Sequence, residues 1–138
     1  REVRLGPLVG APYITSHTVT EPVRLGDTLR WAYWPGLARP TTEPPEVVRV
    51  RLLQGGRPMW TYTLPGGVQE LTLPPIAQLD PPVGLRDGPF DVMFEAMTSY
   101  GRFNYQDYTL LDLSDPQSYT IARYPLMFTV FPEEPSDP

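Results

Sequence analysis

Histidine occurs once in the chain, at His17, directly after Thr15 and Ser16. A serine relay would need that imidazole beside a hydroxyl and a carboxylate delivered by the fold, since such a triad is defined by geometry rather than by spacing. Nothing in the sequence locates those partners, and His17 reads as a loop or edge-strand residue. One histidine without any cysteine is also too few ligands for a conventional zinc site. Carboxylates are more plentiful: Asp80, Asp87 and Asp91 form one group, and Asp107, Asp112 and Asp115 another. Neither has the D-x-D-x-D-G rhythm that puts several oxygens on one small calcium loop, so both read as solvated turn residues. Gly55-Gly56 and Gly66-Gly67 follow strand patterns but open no helix, which makes them hairpin turns rather than phosphate cradles. No catalytic residue, metal ligand or cofactor-binding residue emerges, and the sequence reads as non-enzymatic with no cofactor.

The remaining candidates are aromatic. Trp34, Tyr100, Phe103, Tyr105 and Tyr108 cannot all be core, because Trp34 alternates with Trp31 on its strand and the later four crowd around Gly101 and Arg102. An exposed set would suit sugar stacking or a protein interface, where Tyr, Trp and Arg are enriched; the alternative is that both faces of a two-sheet protein are partly buried. The first dozen residues mix Leu5, Leu8 and Val9 with Gly and Pro. They read either as an arm laid across a neighbouring subunit or as the first edge strand of their own sheet. Leu5, Leu8, Val9, Trp34, Tyr100, Arg102, Tyr105 and Tyr108 are therefore the candidate interface residues.

The elements that hold these residues follow from composition. Nineteen of the 138 residues are proline, and lysine and cysteine are both absent. Proline inside a helix costs about 3 kcal/mol, so a chain punctuated this often has little room for helices. The absence of cysteine removes disulfides, leaving the core to hold the domain. Eleven basic against 16 acidic residues give a net charge of −5, which supplies no cationic cluster for a nucleic-acid backbone. No stretch approaches the ~18 apolar residues of a membrane span. All basic residues are arginine, and asparagine occurs only at Asn104. With the many prolines, this fits a thermophile's protein, although a GC-rich genome favours the same codons.

Between the Gly and Pro punctuation, apolar residues recur at period two, the pattern of half-buried strands. Thr28 to Trp34 sends Leu29, Trp31 and Tyr33 to one face, with Trp31 the leading core tryptophan. Val47 to Leu53 alternates Val48, Val50 and Leu52 against Arg49, Arg51 and Leu53, turns at Gln54-Gly55-Gly56-Arg57 and resumes as Met59 to Leu64. Val68 to Leu73 continues the hairpin as a meander. Phe90 to Thr98 is the strongest strand and reads as central. Arg102 to Leu113 fits a bulged strand or a short helix over 105–113. Tyr119 to Tyr124 and Leu126 to Phe131 read as two closing strands or one bent at Pro125.

Seven to eight such strands predict an all-β fold, an antiparallel sandwich or small barrel. The expected organisation is an arm or edge strand over 1–12, a single domain over 13–131, and an acidic, disordered tail over 132–138. Three segments carry a family resemblance. Gly26-Asp27-Thr28-Leu29-Arg30-Trp31 resembles an early strand of an immunoglobulin-like domain. Gln69 to Pro74 resembles that domain's polar-x-Leu-x-Leu-Pro strand, and Gly88 to Ala96 resembles its penultimate strand. The chain lacks both cysteines of antibody-type domains, and Phe90 stands about where a corner tyrosine would be, so the resemblance implies the broad immunoglobulin-like or fibronectin-type class.

A small, acidic, cysteine-free β-domain with an apolar arm also resembles in type the auxiliary or decoration proteins of phage capsids. That resemblance implies a virion protein, oligomeric or part of a larger assembly, whose partners are copies of itself or capsid subunits and whose role is to stabilise the assembly. The alternative is an immunoglobulin-like binding module of an extracellular or cell-surface protein that recognises carbohydrate or protein.

Overall fold

The computed structural model describes residues 10–34, 45–74, 85–98 and 118–129. They form eight strands and no helix: β1 (Ala11–Ile14), β2 (Pro22–Arg24), β3 (Thr28–Trp34), β4 (Val47–Gln54), β5 (Arg57–Pro65), β6 (Glu70–Thr72), β7 (Gly88–Thr98) and β8 (Ser118–Thr129). The order is β1-β3-β6 in one sheet and β2-β8-β7-β4-β5 in the other. All pairings are antiparallel except β2 with β8. The fold is an all-β sandwich, as the proline punctuation and period-two alternation predict.

The alternating residues meet in the middle. Leu29 and Trp31 from β3 face Val48, Val50 and Leu52 from β4, with Phe90, Val92 and Phe94 from β7 and Leu126 and Phe128 from β8, all buried in one cluster. Aromatic contacts bind the layers: Trp31 and Phe94 centroids lie 5.3 Å apart at 51°, Phe94 and Tyr124 6.2 Å apart at 71°, and Phe90 and Phe128 6.0 Å apart at 84°. These tilted and edge-on pairs suit the ring quadrupole, which disfavours face-to-face stacking. A buried indole needs an acceptor. The Trp31 N–H donates to the Tyr33 hydroxyl at 3.3 Å, which donates to the Gly66 carbonyl at 3.3 Å. At the sandwich edge the Tyr124 hydroxyl donates to the Pro12 carbonyl at 2.8 Å and ties β8 to β1 across the two sheets.

The β4–β5 hairpin turns at Gly55 and Gly56, both at positive φ (60° and 76°), the backbone that a two-residue turn between twisted strands needs. β7 is central, with β4 on one side and β8 on the other. β8 runs unbroken through Pro125, which is exposed and opposite Asp91; of the two readings of 119–131, the single strand is the one formed over its described part. β1 begins at Ala11 and pairs with β3, so Ala11 and Pro12 belong to a sheet.

The meander expected after β5 does not form. β6 crosses to the other sheet and pairs with β3, Leu71 opposite Leu29. Alternation at Leu71 and Leu73 fits an inward face on either sheet, so the pattern does not choose the partner. The turn chooses it: Gly66 is buried with its N–H on the Glu46 carbonyl at 2.9 Å, and the chain leaves β5 toward β3, where the backbone N–H of Trp31 donates to the Gln69 carbonyl at 3.0 Å.

Candidate functional site

His17 lies in the turn region between β1 and β2, where its local chemistry is a clasp. The Ser16 hydroxyl is 2.8 Å from His17 Nδ1 and also accepts the Arg30 backbone N–H at 2.9 Å. On the other side of the ring, Nε2 is 3.6 Å from Asp27 Oδ2, and that same oxygen accepts the Arg24 N–H at 2.8 Å. A serine, a histidine and an aspartate are thus brought together in order, which the sequence did not reveal because Asp27 arrives through the β2–β3 turn. The separation on the aspartate side exceeds a hydrogen bond. Ser16 and Asp27 both hold backbone amides, so the group fastens the ends of β2 and β3 to the turn after β1.

The outer face of the five-stranded sheet carries a second cluster. Arg49 and Arg51 alternate outward from β4 opposite Glu95 and Met93 of β7, and Glu95 lies opposite Ile121 of β8. Glu95 is buried, with Oε2 3.2 Å from Arg49 and 3.4 Å from Arg51, and Oε1 accepts the Tyr119 hydroxyl at 3.1 Å. A buried carboxylate is tolerated when its oxygens are bonded and opposed by charge. The Tyr119 phenol is pushed above its ordinary pKa by burial first and by the adjacent Glu95 carboxylate next, with Arg51 and Arg49 acting in the opposite direction. Beside this cluster β8 presents Tyr119 and Ile121, exposed at 45% and 53%; further along the same face, past Arg123 paired with Asp91, Met127 is exposed at 43%. Sequence reasoning missed this row. Its signal was the outward half of the β8 alternation, where Tyr119, Ile121 and Met127 are apolar on a face that is commonly polar and only Arg123 is charged.

The outer face of the three-stranded sheet carries Trp34, the one candidate interface residue that lies among the described residues. Trp34 points away from the core and is 52% exposed, as its alternation with Trp31 predicts. Tyr13, 40% exposed, shares that face. Register places Trp34 opposite Ala11 and Tyr13 opposite Ala32, so the two rings stand diagonally with only alanines between them. Leu5, Leu8, Val9, Tyr100, Arg102, Tyr105 and Tyr108 lie outside the described residues, as do the segment 102–113 and the acidic tail. Among the described residues no three His, Asp or Glu side chains gather in a way that could hold a metal ion, and no helix is long and apolar enough to cross a membrane.

The chain matches no family model, no curated protein and no solved structure.

Proposed function

We infer that the chain is a non-enzymatic structural module of the immunoglobulin-like class that assembles with copies of itself, of the kind that decorates and stabilises a capsid shell. The class is supported by strand order. Pairing β1-β3-β6 against β8-β7-β4-β5 parallels the A, B and E strands facing the G, F, C and C′ strands of a variable-type sandwich, with β2 added at the edge beside β8. Fold does not give function, so the assembly role rests on the outer face of β8. The observation that carries it is the exposed pair Tyr119 and Ile121 beside the Arg49–Glu95–Arg51 cluster, with Met127 exposed further along the same face beyond Arg123. Tyr, Met and Arg are the side chains enriched at protein interfaces, where apolar anchors surround bonded polar groups. A second copy meeting this face through a two-fold axis would set Ile121 and Met127 against the same row.

Sedimentation velocity over a range of concentrations tests the reading. The wild-type chain self-associates, and Ile121→Arg with Met127→Arg leaves a folded monomer, because a charge placed in a desolvated patch costs several kcal/mol. A wild-type chain that stays monomeric at every concentration refutes the assembly role. In a purified shell that carries the protein, removing it lowers the temperature at which particles break, by mass action on the assembled state.

A further inference from the structure

We propose that the outer face of the three-stranded sheet is a binding strip for a neutral oligosaccharide, separate from the β8 face and on the opposite side of the sandwich. The strip is read directly from register. Trp34 and Tyr13 form its apolar end. One step along β3 from Ala32, Arg30 lies opposite Glu70, with Nε 3.3 Å from Oε2, and at the far end the Thr28 and Thr72 hydroxyls are 2.9 Å apart. From Thr28 to Trp34 the strand runs about 20 Å at roughly 3.3 Å per residue, which is room for several sugar rings in line.

The chemistry is graded along this length. Tyr and Trp present a flat π face with a polar handle, and opposite Ala32 and Ala11 the Tyr13 and Trp34 residues stay 40% and 52% exposed. A pyranose ring is amphipathic in the complementary sense: its axial C–H bonds form an apolar face that can lie on an aromatic ring, and its hydroxyls project from the rim. Arg30 offers only donors and Glu70 only acceptors, so a hydroxyl reaching that pair finds a partner for either of its roles.

Charge selects among occupants. The Arg30–Glu70 pair is neutral as a unit and the whole chain carries −5, so the strip has no field to hold a phosphate or an acidic sugar. A protein covering the strip would have to dry an ion pair whose side chains are 60% and 65% exposed, a desolvation that such pairs seldom recover. Sugar hydroxyls take the place of water on the same atoms. The platform is also fixed in advance. A Cβ at Gly10 would fall 2.8 Å from the Trp34 carbonyl oxygen, so β1 lies against the end of β3 more closely than any side chain permits. Beneath it the Trp31–Tyr33–Gly66 hydrogen bonds hold the inner side of the same strand. A preformed aromatic surface loses little entropy when a ligand settles on it.

Affinity electrophoresis of the full chain in native gels containing neutral polysaccharides (a β-glucan, a xylan, a mannan, a galactan) tests the proposal. At least one of them retards the wild-type chain. Trp34→Ala weakens that binding about tenfold or more, as loss of a central aromatic anchor does, and Trp34→Phe restores part of it. Ile121→Ser, on the opposite sheet, leaves it unchanged. All three variants change outward-facing side chains, and an unaltered thermal midpoint verifies that each remains folded. The proposal is overturned by no retardation in any neutral gel, by retardation that survives Trp34→Ala, or by retardation in acidic polysaccharides alone. It is equally overturned if Trp34→Ala abolishes self-association while no glycan binds, which would mean that a second copy covers the strip.

Discussion

Two adjacent glycines in the turn after β5 make a matched pair for testing how the sandwich is closed. A Cβ built on Gly66 would fall 1.5 Å from the Pro45 carbonyl oxygen and 2.4 Å from its carbon, whereas one built on Gly67 meets nothing within 4 Å. Both obstructing atoms are backbone, so no rotamer change can make room. Gly66→Ala must push the turn away from the strand entry at Pro45 and Glu46. Overpacking by one methyl costs about 1–3 kcal/mol when side chains can yield, and the upper end applies where they cannot. The shift also strains two hydrogen bonds, Gly66 N–H to the Glu46 carbonyl and the Tyr33 hydroxyl to the Gly66 carbonyl, each worth about 1 kcal/mol net. The sum is about 3–5 kcal/mol, a large part of the roughly 5–15 kcal/mol that holds a domain together, and for a chain of this length it lowers the thermal midpoint by about 10 °C or more. Gly67→Ala enters open space and leaves stability within about 0.5 kcal/mol of the wild type. Urea denaturation of both variants, read by tryptophan fluorescence, measures the difference. Equal midpoints for Gly66→Ala and Gly67→Ala would refute the close approach and, with it, the account of how the chain is turned from β5 toward β3.

Glu95→Gln keeps the shape of the side chain but removes the charge facing Arg49 and Arg51; charge-assisted bonds of this kind contribute about 1.5–3 kcal/mol, so the variant loses about 2 kcal/mol in urea denaturation. Glu70→Gln breaks a largely exposed pair and loses less than about 1 kcal/mol; equal losses at the two sites would show that Glu95 is not set apart by burial. Phe94→Ala removes the ring that contacts both Trp31 and Tyr124 and costs about 3–5 kcal/mol. Burial raises the phenols of Tyr33, Tyr62, Tyr119 and Tyr124 above their ordinary range. The unfolded chain therefore releases these protons first, so their contribution to stability is complete below about pH 10 and is lost as pH rises through the higher folded values. Denaturation midpoints followed beside phenolate absorbance check this, and midpoints that stay flat through the phenol titration would contradict it.

Strand identity was legible because it is a local property. Proline and glycine cut the chain into short segments, and within each the period-two placement of Leu29, Trp31 and Tyr33, or Phe90, Val92 and Phe94, states which side chains share a face. The same alternation put Trp34 outward, and the Gly55-Gly56 turn fixed the β4–β5 hairpin, since both residues sit at a φ that glycine reaches without strain. Sheet membership was not legible. An apolar alternating segment can line the core from either sheet, and β6 joined β3 rather than β5 because a buried glycine held against the backbone of Pro45 and Glu46 turned it.

The candidate faces divide in the same way. By itself the sequence determined an all-β chain without disulfides, with a net negative charge and a tryptophan directed out of the core, because composition and periodicity act over a few residues. Only the tertiary structure decided that Tyr13 stands beside Trp34, that Arg30 meets Glu70 across 40 positions, that Asp27 reaches His17, and that Glu95 is buried between two arginines. Each of these brings together residues from different strands or turns. The backbone hydrogen bonds that set such registers are the same for every residue type, so the choice of partner rests on how the whole sandwich packs.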